Sequence, residues 1–130
     1  MIKIMQDKDY NKLLELYQEY QSELYAKNNK FASSLMLNDE LGKQDKISFG
    51  VYNSKEELVG FLIGYSNVLN SIYIQKDYRY YLNELIKKYE DTLKKLKYKG
   101  WEATSLTRKS AKALEHLKAI VTEIKYYKEI

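Results

Sequence analysis

Residues 74–85 read Ile74-Gln75-Lys76-Asp77-Tyr78-Arg79-Tyr80-Tyr81-Leu82-Asn83-Glu84-Leu85, and the topology hangs on this stretch. Its left flank, Ser71 to Gln75, alternates and suits a short strand. A charged turn follows and ends in Tyr78-Arg79. Beyond it, Leu82, Leu85, Ile86, Tyr89, Leu93 and Leu96 recur at helical spacing, with Lys87, Lys88, Asp91, Lys94 and Lys95 on the opposite side. That pattern predicts an amphipathic helix from about Tyr80 to Tyr98, with Gly100 placed as its C-cap. The unit is strand, turn, helix.

Toward the N-terminus, Ile47-Ser48-Phe49-Gly50-Val51-Tyr52 alternates, Asn53 to Glu57 turns, and Leu58 to Tyr65 returns as the second half of a hairpin. Asn67 to Asn70 then leads into the strand at Ser71. Ahead of the hairpin, Ile2 to Met5 suits a short strand. Asp7 or Asp9 can cap a helix carrying Leu13, Leu16, Tyr17, Tyr20 and Leu24, which frays around Lys27-Asn28-Asn29-Lys30. Phe31 to Leu37 suits a second short helix, and Asn38 to Lys46 reads as a polar loop containing Gly42. In the other direction, Trp101 to Leu106 is a strand, and Thr107 can cap a helix with Ala111, Leu114 and Leu117. Ala119 to Tyr127 reads as one closing strand. The predicted order is β-α-(α)-β-β-β-α-β-α-β, a single α+β domain over residues 1–130 without repeat, low-complexity tract or linker.

Composition narrows the chemistry. The chain has no Cys and one His, His116, so a disulfide, a thiolate nucleophile and a conventional zinc site are all excluded. No apolar run approaches a signal peptide or a membrane span, and a cytoplasmic location is expected. Scarce Arg beside abundant Lys, Asn, Tyr and Ile suggests an AT-rich coding source, so the 14 Tyr carry little functional weight. Charge is uneven: residues 1–70 hold 8 Lys/Arg against 10 Asp/Glu, and residues 71–130 hold 14 against 8. A basic second half suits an acidic partner or a polyanionic cofactor, although lysines on solvated helix backs give the same count.

The order of elements and the step I-Q-K-D-Y-R into a long helix resemble the GCN5-related N-acetyltransferases, the GNAT family. Their cofactor motif is roughly V-x-P-E-Y-R-G-x-G-x-G/A. Lys99-Gly100-Trp101 and Arg108-Lys109-Ser110-Ala111-Lys112-Ala113-Leu114 are further local matches, the latter to the family's N-x-x-A-x-x-L-Y helix. The resemblance implies a mostly antiparallel sheet flanked by helices. It also implies acetyl-CoA as cofactor if the protein is active, held near Ile74, Lys76, Arg79 and Tyr80. In the family, glycines let the pyrophosphate approach the helix N-terminus closely. Here those positions carry Tyr80, Leu82 and Glu84, and Glu84 places a carboxylate where the phosphate would lie. The family's tyrosine that protonates the departing thiolate falls on Leu114, leaving Tyr126 or Tyr127 as distant substitutes. Glu102, Ser105 and Tyr73 are the nearest candidates for a general base.

These departures lead to the expectation of a degenerate cofactor site in a protein-binding or inhibitory module, with no cofactor favoured, of the kind a phage or plasmid encodes. Its partner would be a host protein. With room for only one closing strand, the last strand is expected to be missing or supplied by a second copy through the sheet edge. The alternative is an active acetyl-CoA-dependent N-acetyltransferase acting on a primary amine. Nucleic-acid binding ranks last, since the chain has two Arg and no recognisable motif.

Overall fold

The computed structural model describes residues 1–24, 30–104, 112, 114–117, 120–122 and 125–130. A seven-stranded sheet forms its centre, in the order β1-β2-β3-β4-β5-β7-β6. The strands are β1 (Ile2–Lys3), β2 (Lys46–Tyr52), β3 (Leu58–Tyr65), β4 (Val68–Ile74), β5 (Gly100–Thr104), β6 (Ile120–Thr122) and β7 (Lys125–Glu129). All pairings are antiparallel except β4 with β5. Helices α1 (Tyr10–Leu24) and α2 (Lys30–Leu41) lie on one face. Helix α3 (Leu82–Lys95) lies on the other.

Strand alternation divides the core accordingly. Phe49, Val51, Leu62, Leu69 and Ile74 join Leu85, Ile86, Tyr89 and Leu93 of α3, with Trp101 and Ala103 of β5. Tyr52, Leu58, Phe61 and Ile63 face Leu13, Leu16 and Tyr17 of α1 and Leu37 of α2. Of the apolar stripe read for α3, Leu85, Ile86, Tyr89 and Leu93 are buried and Leu82 is partly buried, whereas Leu96 lies past the helix end and is exposed. The N-cap of the segment that starts with a 3-10 turn at Asp7–Asp9 is Gln6 and neither aspartate; Asp9, third in the turn, supplies the reciprocal half of a capping box, its carboxylate accepting from the Gln6 N–H at 3.0 Å.

Four further expectations need correction. Residues 38–41 continue α2 instead of opening a loop, because Leu37 and Glu40 are buried on one side of that helix. The stretch from Val68 to Asn70 is already strand, paired to β3, and not a connector. Gly100 does not cap α3. The helix stops at Lys95, the left-handed residue is Lys97 at φ 68°, and Gly100 is the first residue of β5. A Cβ at Gly100 would collide with the Tyr127 hydroxyl and the Lys128 carbonyl, so glycine is there for strand packing. Finally, the closing segment is two strands, not one. β6 and β7 pair with each other, and β7 inserts between β6 and β5. The chain supplies its own closing hairpin, which removes the structural reason for a second copy to lend a strand. The expected fraying at Lys27-Asn28-Asn29 and the Thr107 cap lie outside the described residues.

Candidate functional site

β4 and β5 are parallel neighbours that touch at one end only. Their register contains the single pair Val68↔Glu102, supported by the Glu102 N–H donating to the Asn67 carbonyl at 2.9 Å. Asn67 Nδ2 also donates to the Gly100 carbonyl at 3.2 Å. Beyond this junction no further pair joins the two strands among the described residues, which leaves the C-terminal part of the β4 edge unpaired toward β5, a wedge between the strands. A bulge assists: the β3–β4 register slips between Ile63 and Gly64, so that Asn70 is the extra residue on β4.

The edge of β4 that faces the wedge can be read from its peptide units. The Gln75 N–H donates to the Val59 carbonyl of β3 at 2.9 Å. In a trans peptide the carbonyl of the preceding residue points the other way, so the Ile74 carbonyl faces the open side. Arg79 Nε donates to that carbonyl at 2.9 Å. Arg79 Nη2 donates to Glu23 of α1 at 2.7 Å, and the guanidinium lies 5.8 Å from the Tyr73 ring centroid. Nearby, Gln75 Nε2 donates to both Glu19 oxygens, at 3.3 Å and 3.2 Å.

After β4 the chain does not open into a loop. Residues Lys76–Tyr81 form a 3-10 helix that runs directly into α3. Its first bond is the Tyr78 N–H to the Gln75 carbonyl at 2.9 Å, and the Leu82 N–H donates to the Arg79 carbonyl. Tyr81 holds an ordinary right-handed conformation, and none of residues 76–84 has a positive φ. Amides that would turn outward in a glycine-rich phosphate cradle are thus spent within the chain. Glu84 sits in the first turn of α3 and adds a carboxylate beside the 3-10-to-α junction.

The candidate cofactor residues are therefore close in space but differently employed. Ile74 presents its carbonyl to the wedge, where Arg79 caps it. Lys76 is exposed on the 3-10 helix. Tyr80 is 72% exposed, with its ring 4.6 Å from that of Tyr81. Tyr73 is half-buried beside α1. Burial, with the Glu19 and Glu23 carboxylates, pushes its hydroxyl pKa up, and Arg79 offsets this in part. Glu102 lies on β5 between the inward-facing Trp101 and Ala103, so alternation turns its side chain to the α1/α2 face. Leu114 packs in the α3-side core, His116 is exposed, and the Tyr127 hydroxyl lies by Gly100 near the closed end of the wedge. Ser105 and the side chain of Tyr126 lie outside the described residues.

One polar group escaped the sequence reading. Glu40 of α2 is buried at 6% exposure and accepts from the Ser71 hydroxyl at 2.6 Å and from the Tyr17 hydroxyl. Two turns earlier on α2, the Ser33 hydroxyl donates to Gln21, whose Nε2 donates to Met36 Sδ at 3.0 Å. A single carboxylate thus ties α1, α2 and β4 together just past the bulge. The available signal was the spacing Ser33, Leu37, Glu40, which extends the buried stripe of α2.

A sheet of this order, with two helices on one face, a long helix after β4 and β4 splayed from β5, defines the GNAT fold. Solved structures agree over the whole chain. A GNAT-family acetyltransferase from Staphylococcus aureus superposes with a TM-score of 0.77 at 16% identity, covering 99% of this chain and 98% of that one. The type Ii aminoglycoside 6'-acetyltransferase gives 0.76 at 13% identity, covering 99% and 96%. Spermidine N-acetyltransferase from Vibrio cholerae, solved with CoA and spermine, gives 0.68 at 12% identity, covering 98% and 91%. No protein-family model matches the chain, and no curated protein matches it significantly in sequence. The chain has the fold of the GNAT acetyltransferases. Among the described residues, no helix is long and apolar enough to cross a membrane.

Proposed function

We propose that this protein is a GNAT-fold module that no longer grips acetyl-CoA through the usual diphosphate cradle and works chiefly as a protein-binding or inhibitory module. The observation that carries the reading is the start of α3. There the Leu82 N–H is bonded to the Arg79 carbonyl inside a continuous 3-10-to-α junction, with Glu84 in the first turn. Bringing a diphosphate to that end would require unwinding the turn and placing it against a carboxylate. The exposed lysines Lys87, Lys88, Lys94, Lys95, Lys97 and Lys99 line α3 and its exit, and they suit an acidic partner surface. The test is calorimetric titration with acetyl-CoA, with CoA as control, at moderate ionic strength. The expected result is no heat and an unchanged melting temperature. Micromolar binding with a raised melting temperature would refute the reading.

A second reading, an active acetyl-CoA-dependent N-acetyltransferase of primary amines, draws on one feature. The β4–β5 wedge and its bulge are intact, and solved proteins of this fold include a spermidine and an aminoglycoside acetyltransferase. It requires binding through the β4 edge with little help from α3. Acetyl transfer to a polyamine or aminoglycoside in a thiol-release assay would favour it over the first.

A further inference from the structure

The contacts between α1 and the β4–α3 corner are arranged as a pair of clasps. Glu19 and Glu23 are one helical turn apart on α1, and Gln75 and Arg79 bracket the start of the 3-10 helix. Glu19 meets Gln75, and Glu23 meets Arg79, each across 56 residues of sequence. The Arg79 contact is of the short, charge-assisted kind, 2.7 Å from Nη2 to Glu23. Nε and Nη2 form the edge of a guanidinium that grips a carboxylate or phosphate with two parallel bonds. In this chain that edge is divided, with Nε on the Ile74 carbonyl at 2.9 Å and Nη2 on Glu23. The guanidinium also lies 5.8 Å from the Tyr73 ring centroid, within cation–π range.

We propose that Glu19 and Glu23 form an internal strap across the mouth of the wedge, in which Glu23 takes the place on Arg79 that a phosphate would take, so that diphosphate-bearing anions are kept out while α1 is docked. The proposal rests on the reading of the α3 start given above, because with the helix amides spent, Arg79 is the remaining strong anion partner at that corner. Exposed ion pairs add little to stability, and both partners here are at least a third exposed, so the strap is easily opened. A contact of this kind suits a gate better than a brace. Release by a partner that draws Glu19 and Glu23 away from the corner would free the Arg79 edge and the Ile74 carbonyl together.

The experiment compares the natural chain with Glu19→Gln/Glu23→Gln and with the same double variant carrying Arg79→Gln. Each is titrated with inorganic pyrophosphate and with CoA. Glu23→Gln alone is a further variant, and thermal melts of all four proteins establish that they fold. The expected result is pyrophosphate binding at least about fivefold tighter in the double variant, with the gain abolished by Arg79→Gln. No gain in either Glu variant overturns the strap and leaves the proposed function standing. A gain that survives Arg79→Gln overturns it as well, because the anion then binds elsewhere. Micromolar CoA binding by the natural chain, unchanged in the Glu variants, overturns both.

Discussion

Tyr89→Phe should stabilise this protein, against the usual direction of core substitutions. The Tyr89 ring is fully buried between α3 and the sheet, 6.2 Å from the Trp101 ring centroid. Its hydroxyl is the one buried side-chain polar atom among the described residues without a hydrogen-bond partner. It sits under the β3–β4 bulge, where a Cβ added to Gly64 would lie 3.2 Å from it. An unsatisfied buried hydroxyl costs about 1–3 kcal/mol in lost hydration. Removing the oxygen recovers that cost and forfeits a few dispersion contacts, together about 0.5 kcal/mol. The net expectation is about 1 kcal/mol of added stability, read as a rise of about 3–5 °C in melting temperature for a domain of this size. Urea unfolding with an unchanged m-value would show that the native state and not the denatured ensemble has changed. A loss of about 1 kcal/mol or more would refute the reasoning and mean that the hydroxyl is satisfied by an ordered water at the bulge.

Glu40→Ala should cost about 2–4 kcal/mol in urea unfolding, because it leaves the buried Tyr17 and Ser71 hydroxyls without their acceptor. Glu40→Gln keeps an acceptor and should lose less. Gly100→Ala should lose at least about 2 kcal/mol by thermal melting, since its Cβ meets the Tyr127 hydroxyl and the Lys128 main chain. Alkaline stability should fall once pH passes about 10, where the tyrosines of the unfolded chain ionise. Burial raises the Tyr89 and Tyr52 hydroxyls, and Asp9 raises Tyr52 further, so the folded state keeps protons that the unfolded chain loses. The stability they lend is complete below the unfolded value and is lost above it, by up to about 1.4 kcal/mol per pH unit for each group. Melting curves from about pH 9 to pH 11 should therefore be less steep in pH for Tyr89→Phe than for the natural chain.

Much of the fold was legible because its elements are amphipathic with a clear period. The α3 and α1 stripes each bury one face at the helical spacing, and the β2–β3 hairpin, whose β3 strand is buried on both faces, reads as a dense apolar run between turn residues. Legibility ended where an element is short or where its boundary is set by partners. Residues 119–127 contain one apolar run, and nothing local states that it folds into β6 and β7; the pairing of β7 with both β5 and β6 does. The end of α3 was misplaced because Gly100 is the usual terminator, whereas Lys97 takes the left-handed conformation here.

The candidate site divides in the same way. The absence of glycine at positions 80, 82 and 84 is a fact of sequence, and it raises the expectation of an altered phosphate cradle. What stands in place of the cradle depends on residues far apart in the chain. The 3-10 turn, the Arg79 bond to Ile74 and the clasps to Glu19 and Glu23 join segments separated by up to 56 residues. Glu40 likewise acquires its partners only when α1, α2 and β4 meet. The apolar faces are written in the order of residues, because burial must follow the period of each backbone. The pairing of polar groups is not, because hydrogen bonds depend on position in space, and that position exists only once distant segments have packed.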